Sequence, residues 1–404
     1  MTFVVLAFAY LRRRWGQAVL SIVVGALGVA AVATAVSGFD ALPRAARQAW
    51  GGVDLVVGPK GSALDLVLCC VLHLSEPRGL VSVKAAMEAV HNPMIRTAAP
   101  IALGDNVKGW RIMGTTPAIL DVYRAAIASG RIWNGKLEAV LGAGAARDLG
   151  LKIGDSFVGA HGLAAGGELH DKFPYKVVGI LRPTGSALDR IILTDIETVR
   201  YVHVEQAKAE IAEHGSTDEA AAARLPDAAT AVVAAYRVPT AAAFMPRRID
   251  ATETLTGAGP SIEIARLMGY FRPLTQAVTA LGMLLVAIAA LGATVGLLAT
   301  MNARTRDLAL LRALGASRAK LGLVAFAEAG LIAMAALVLG GALTFGLLTL
   351  ADDLLADATG MLLRPTFTVD QLAWLLGGTL FVTVVAAAFP ALRAMHTRIE
   401  ELLR

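Results

Sequence analysis

The chain has 404 residues, 56% of them hydrophobic and 17% charged, with a mean hydropathy of +0.62. This excludes an ordinary soluble protein and points to an integral membrane one. The net charge of +5 is small and much of the basic charge flanks apolar runs, so no nucleic-acid partner is needed to explain it. Met1 to Trp15 is apolar and aromatic and ends on Arg12, Arg13 and Arg14, after which Gly16 to Phe39 carries no charge. A secretory signal peptide is the rival reading, but the run is longer than a usual h-region. The pattern predicts a retained first span with its N-terminus inside, its leading residues lying along the inner leaflet of the lipid bilayer as an amphipathic helix.

From Asp40 to Arg272 no comparable run occurs. About 230 residues suffice for a folded domain with its own core, and topology places it outside the cytoplasm. Strand-like Val53 to Val57 and Tyr175 to Leu181 alternate with helical Pro117 to Ala128 and Ala143 to Leu149, which predicts an α+β domain in two subdomains. Thr116 is placed to cap the first of these helices, with Pro117 at its first position. Glu205 to Ala235 is alanine-rich with interleaved charges and reads as a solvated helix pair broken near Gly215. Ala241 to Gly259 reads as a loop or strand leading back towards the membrane, and Ser261 to Phe271 as a helix feeding the second span.

Pro273 to Ala303 has no charge and Leu321 to Ala351 only Glu328. Each exceeds the roughly 20 apolar residues a helix needs to cross a hydrocarbon core of about 30 Å. Between them Arg304, Arg306, Arg312, Arg318 and Lys320 outnumber Asp307, which puts this connection in the cytoplasm. Leu308, Leu310, Leu311 and Leu314 recur at helical spacing, and Gly315 follows where a C-cap would sit. On charge alone an ordinary basic loop is an equal alternative. The run from Asp307 through Ala-Leu-Gly-Ala-Ser to Arg318, followed by an apolar span carrying Glu328, closely resembles the signature of the FtsX-like permease superfamily, which includes MacB-type efflux and lipoprotein-releasing ABC transporter permeases. The resemblance implies that this segment is a coupling helix docked into an ABC ATPase, with Arg304, Arg306, Asp307, Leu311, Arg312, Gly315, Ala316, Ser317 and Arg318 as coupling residues. It also implies that Glu328 is an intramembrane polar contact tying the coupling helix to the bundle. The alternative for Glu328 is an interfacial acid pairing with Arg318 or Lys320.

Beyond the third span Asp352, Asp353, Asp357 and Asp370 outweigh Arg364, fitting an exterior loop, and Gln371 to Leu392 is the fourth uncharged run. The expected fold is therefore an α-helical membrane protein of four transmembrane helices with a large α+β extracytoplasmic domain inserted between the first and second. Its divisions are 1–39, 40–272 and 273–404. Small residues at Gly25-Ala-Leu-Gly28 and Gly340-Gly341 permit close helix approach. This order resembles the MacB-type plan over the whole chain, as do Glu138 to Phe157 and Tyr175 to Asp189 within the domain. The resemblance implies a permease subunit in a bacterial inner membrane, homodimeric, working with separate ATPase subunits that hold ATP and Mg, and passing their motion to the periplasmic domain. A non-transporting scaffold that controls a periplasmic partner such as a cell-wall hydrolase is the second reading. Lipoprotein, peptide or macrolide, and zinc-related cargos all remain open.

No catalytic residues are expected. Gly130 to Lys136 has P-loop glycine and lysine spacing, but Leu137 replaces the hydroxyl residue that would ligate Mg²⁺, and no cofactor of the chain's own is predicted. His161 and His170 bracket a Gly-rich segment with Asp171 adjoining, and imidazole with carboxylate suits zinc. Surface histidines in a loop are the alternative. The surrounding stretch, and Val53 to Leu74, resemble a branch of these permeases associated with periplasmic zinc handling, although histidine is sparser here around Gly166 and Gly167. Adjacent Cys69 and Cys70 cannot form an unstrained disulfide and read as packed thiols.

Overall fold

The computed structural model describes Arg12 and residues 15–162, 169–204, 227–303, 317–359 and 367–396. Among these residues four helices are long and apolar enough to cross a membrane: Trp15–Ala49, Pro260–Ala299, Gly322–Leu354 and Val369–Leu392. The chain divides into two units, one of Met1–Leu42, Tyr270–Leu354 and Leu363–Arg404, the other of Pro43–Gly269 and Leu355–Leu362.

In the helical unit, glycine sets how closely the helices approach. A Cβ on Gly28 would lie 2.8 Å from the Val286 amide nitrogen and 2.9 Å from the Gly282 carbonyl oxygen, and one on Gly340 would lie 2.8 Å from the Ala26 carbonyl oxygen. Gly341, next to Gly340, has nothing within 4 Å of the same position. These are backbone-to-backbone crossings, which in lipid depend on van der Waals packing of small residues. Leu297, Ala329 and Ala387 bury one another where the second, third and fourth helices meet, and the Thr294 hydroxyl donates to the Ala386 carbonyl at 2.9 Å. Helices Trp15–Ala49 and Pro260–Ala303 contain Pro43 and Pro273 respectively.

The second unit is α+β, and its strands are β1 Leu55–Pro59, β2 Val81–Ser82, β3 Ile95–Val107, β4 Trp110–Thr115, β5 Ile127–Gly130 and β6 Glu138–Leu141. They continue with β7 Ser156–Phe157, β8 Ala160–His161, β9 Tyr175–Leu181, β10 Ile192–Asp195, β11 Ala228–Ala229, β12 Ala231–Tyr236 and β13 Leu255–Ala258. Eleven strands form one sheet in the order β13-β1-β12-β3-β4-β10-β6-β9-β5, with β8 added on β3 and β7 on β9. The remaining two strands, β2 and β11, pair with each other in a second, two-stranded sheet.

Three local readings change. The end of the Glu205 to Ala235 stretch, whose composition reads as a solvated helix pair, contains an interior strand: Ala231, Val233 and Ala235 bury one face while Val232 and Ala234 bury the other. Small side chains suit a strand covered on both sides. The rest of that stretch, 205–226, lies outside the described residues. Ala241–Asp250 is a helix whose Ala241, Met245 and Ile249 recur every four residues and cover the second of those faces. The helix expected from Pro117 spans only Ala118–Tyr123, because Arg124 turns left-handed at φ 52° and Ile127–Gly130 pairs with β9. Its cap also differs, since Pro117 itself sits at the N-cap without a side-chain bond.

Candidate functional site

The site begins with one extra residue in β3. Leu103 pairs with Met113 but Asp105 pairs with Ile112, so Gly104 is bulged out of the β3–β4 ladder. Without the bulge, strand alternation would put Asp105 on the face of Leu103. With it, Asp105 faces the cluster of Ile112, Phe157, Tyr175 and Val202. A carboxylate 1% exposed thus lies in an apolar layer.

Three histidines reach it. His161 is opposite Asp105 across the β3–β8 pairing. Asn106 fixes that register by donating from Nδ2 to the Gly162 carbonyl at 2.9 Å, while its Oδ1 accepts from the Gly109 amide at 2.8 Å. Lys108 and Gly109 both have positive φ, 51° and 89°, as a two-residue hairpin of this hand requires. His170 comes back beside His161 because Leu169 bridges Ala160 and the His170 amide donates to the Gly159 carbonyl at 2.8 Å. His203 is supplied by the helix over 196–204 that follows β10. Val199 and Ile196 seat this helix against Gly114, where a Cβ would meet Val199 Cγ2 at 2.6 Å. Gly104 leaves room for the ring, since its Cβ would stand 3.3 Å from His203 Nε2.

Asp105 Oδ1 lies 3.1 Å from His170 Nε2, 3.4 Å from His203 Nε2 and 3.8 Å from His161 Nδ1. The side chain of His170 is wholly buried, that of His203 is 21% exposed and that of His161 47%. Burial works to raise the Asp105 carboxyl, but hydrogen bonds and charge from His170 and His203 outweigh it and hold the acid well below the usual carboxylate range. Tyr175, buried and stacked on Phe157 at 5.3 Å, is pushed up by burial and by Asp105. Asp105, His161 and His203 each offer a ligand atom, all within 4.8 Å of one another.

Of the residues singled out from sequence, His161 and His170 are brought together. Asp171 is exposed and stands outside the group; the carboxylate is Asp105, which carried no sequence signal beyond an acid in a Gly-Asp-Asn run. His203 stands over thirty residues from His170 in the sequence, with no motif linking the two. Glu328 is 7% exposed, on a helix whose next residue, Ala329, packs in the bundle. Arg304, Arg306, Asp307, Leu311, Arg312, Gly315 and Ala316 lie outside the described residues. Ser317 opens the third long helix, its hydroxyl and carbonyl both accepting from the Lys320 amide, and Arg318 is the first residue of that helix.

Cys69 and Cys70 end the helix Ala63–Cys70, both free and buried. They border a cavity of about 240 Å³ lined also by Lys60, Asp65, Glu76 and Arg78. A hydrogen bond between the thiols lowers Cys69 and raises Cys70 well above its ordinary value, burial raising Cys70 further. A small methanethiosulfonate reagent should therefore label Cys69 well before Cys70, read by mass spectrometry of the digested protein; equal labelling would contradict this assignment. His73 follows in a left-handed turn at φ 55°. Both its ring nitrogens are sealed from solvent without a hydrogen-bond partner among the described residues. Burial first, then the Arg111 guanidinium, holds its pKa down to about 3.

Two family models match the chain: an FtsX-like permease C-terminal domain over residues 278–399 and a MacB-like periplasmic core domain over residues 18–256. Among solved structures, the periplasmic region of MacB from Actinobacillus actinomycetemcomitans is similar at 11% identity and a TM-score of 0.33, covering 55% of this chain and 95% of its own. The extracellular domain of the noncanonic ABC-type transporter YknZ from Gram-positive bacteria is similar at 9% identity and a TM-score of 0.29, covering 51% of this chain and 99% of its own. None of the curated proteins compared with the chain matches it.

Proposed function

The chain belongs to the FtsX-like, MacB-type permease family, and we propose that it is the membrane-spanning subunit of an ABC transporter powered by a separate ATPase. The observation that carries this reading is that the two family models between them cover most of the α+β unit and overlap all four candidate spans. The motif from Asp307 to Arg318 falls inside the second match, between the second and third spans. In the sequence, Leu308, Leu310, Leu311 and Leu314 recur at helical spacing among arginines, a pattern suited to docking at a protein groove on the membrane surface. The proposed cycle needs no central conduit: closure of two ATPases moves the coupling segments of a permease homodimer in the inner membrane. The helix Pro260–Ala303, which belongs to both units, carries that motion towards the periplasm, where cargo is handled. Glu328, buried in the third helix, supports the reading of a polar tie between coupling segment and bundle, since an acid facing lipid costs several kcal/mol.

Crosslinking in native membranes tests this, with cysteines at Ala309 and at the exposed Ala265, Cys69 and Cys70 replaced by alanine, and the partner ATPase present or withheld. The expected result is an Ala309→Cys adduct to the ATPase and an Ala265→Cys homodimer crosslink whose yield changes at least about twofold with ATP. If neither responds while the ATPase is bound and folded, the coupling assignment fails. In that case the periplasmic unit acts as a scaffold for another protein.

A further inference from the structure

The geometry points to a binding site for a divalent transition-metal ion of the zinc class, formed by Asp105, His161 and His203, with His170 orienting the carboxylate from below. Four features support it. The first is distance: with metal–ligand bonds of about 2.0–2.1 Å, neighbouring ligand atoms of a tetrahedral site lie about 3.3 Å apart. Asp105 Oδ1 is 3.4 Å from His203 Nε2 and 3.8 Å from His161 Nδ1. The three ligand atoms all lie within 4.8 Å of one another, a spread that rotation of the two partly exposed imidazoles can close.

The second is donor chemistry. Two imidazoles and a carboxylate suit zinc and its neighbours in the first transition row, whereas calcium and magnesium call for oxygen donors and copper(I) for sulfur. The third is unmet bonding capacity. Asp105 Oδ2 and His170 Nδ1 are both buried without a hydrogen-bond partner among the described residues. A buried polar atom left so is costly, and a cation seated against the carboxylate would engage the first of the two. The His170 Nε2 to Asp105 Oδ1 bond at 3.1 Å is the kind of outer contact that fixes a ligand's orientation and raises its basicity.

The fourth is access. His170 is sealed at the floor while His161 and His203 form a partly open rim, so an ion can enter. Three protein ligands leave one coordination position for water or for a donor atom of another molecule, the pattern of an exchangeable rather than a closed structural site. The ligands come from β3, from β8 and from the helix over 196–204. Metal loading would therefore pin that helix to the sheet.

The test uses the full-length chain in detergent, purified without a polyhistidine tag, titrated with ZnCl₂ by calorimetry and with Co²⁺ by visible absorption. One equivalent per chain is expected, with the intense d–d bands of tetrahedral cobalt. His161→Ala and His203→Ala should each weaken binding at least 10-fold, and His170→Gln by about 10-fold as an outer partner. His161 is exposed enough for its alanine variant to keep the wild-type elution profile and circular dichroism, so it remains informative if changes at Asp105 disturb folding. Absence of a bound equivalent in the wild type, or unchanged affinity in both alanine variants, overturns the site.

Discussion

Gly340→Val should break apart the helical unit, and Gly341→Val should leave it intact. A Cβ at Gly340 would press to 2.8 Å on the Ala26 carbonyl oxygen and on Val29, whereas at Gly341 it meets nothing within 4 Å. Main-chain atoms of a neighbouring helix cannot rotate away as a side-chain tip can, so the first and third helices must separate. Overpacking a tight core typically costs about 1–3 kcal/mol, and a clash with backbone belongs at or above the top of that range. Gly28→Val should behave like Gly340→Val, because its Cβ would strike the Val286 amide and the Gly282 carbonyl together. Thermal unfolding of the detergent-solubilised chain, followed by size-exclusion chromatography, checks all three. The packing is wrong if Gly341→Val is as damaging as its neighbour.

The second large effect is a loss of stability in mild acid that His73 governs. Its folded pKa is held at about 3, against about 6.5 for a free histidine. Between those values the unfolded chain binds a proton that the folded chain refuses, so stability is full above about pH 6.5 and declines as pH falls towards 3. The slope approaches about 1.4 kcal/mol per pH unit, or about 2 kcal/mol lost by pH 5. For a unit of this size that lowers the melting midpoint by about 4–8 °C. His73→Asn keeps a residue that tolerates positive φ but removes the titration. Melting curves at pH 7.5 and 5 should then show a smaller acid-induced drop for the variant. Parallel curves would mean that His73 is not sealed as described.

The membrane helices were legible because an uncharged run longer than the hydrocarbon thickness has few other readings, and the helix and strand at Ala143 and Tyr175 because their periodicity was clean. One interior strand was hidden. Ala231 to Ala235 is rich in alanine, whose composition suggests helix, and only the two layers covering it make it a strand. The Asp105 site was hidden for a different reason. Leu-Gly-Asp-Asn reads as a turn, since glycine, aspartate and asparagine are turn formers. That the glycine is instead a bulge within a long strand, turning Asp105 towards His203 almost a hundred residues later, depends on pairing with β4. His161 and His170 could be picked out because they are close in sequence; their carboxylate could not.

Pro43 and Pro273 have a mechanical consequence. Each deprives its helix of one amide donor, leaving the carbonyls of Phe39 and Gly269 without their intrahelical partner. Both lie within a few residues of the divisions at Leu42/Pro43 and Gly269/Tyr270. Helices bend most readily at such points. A torque applied along either would therefore be delivered as a swing about a fixed pivot, not as a shallow bow spread over many turns, and the pivot's place is written by a single residue in each helix.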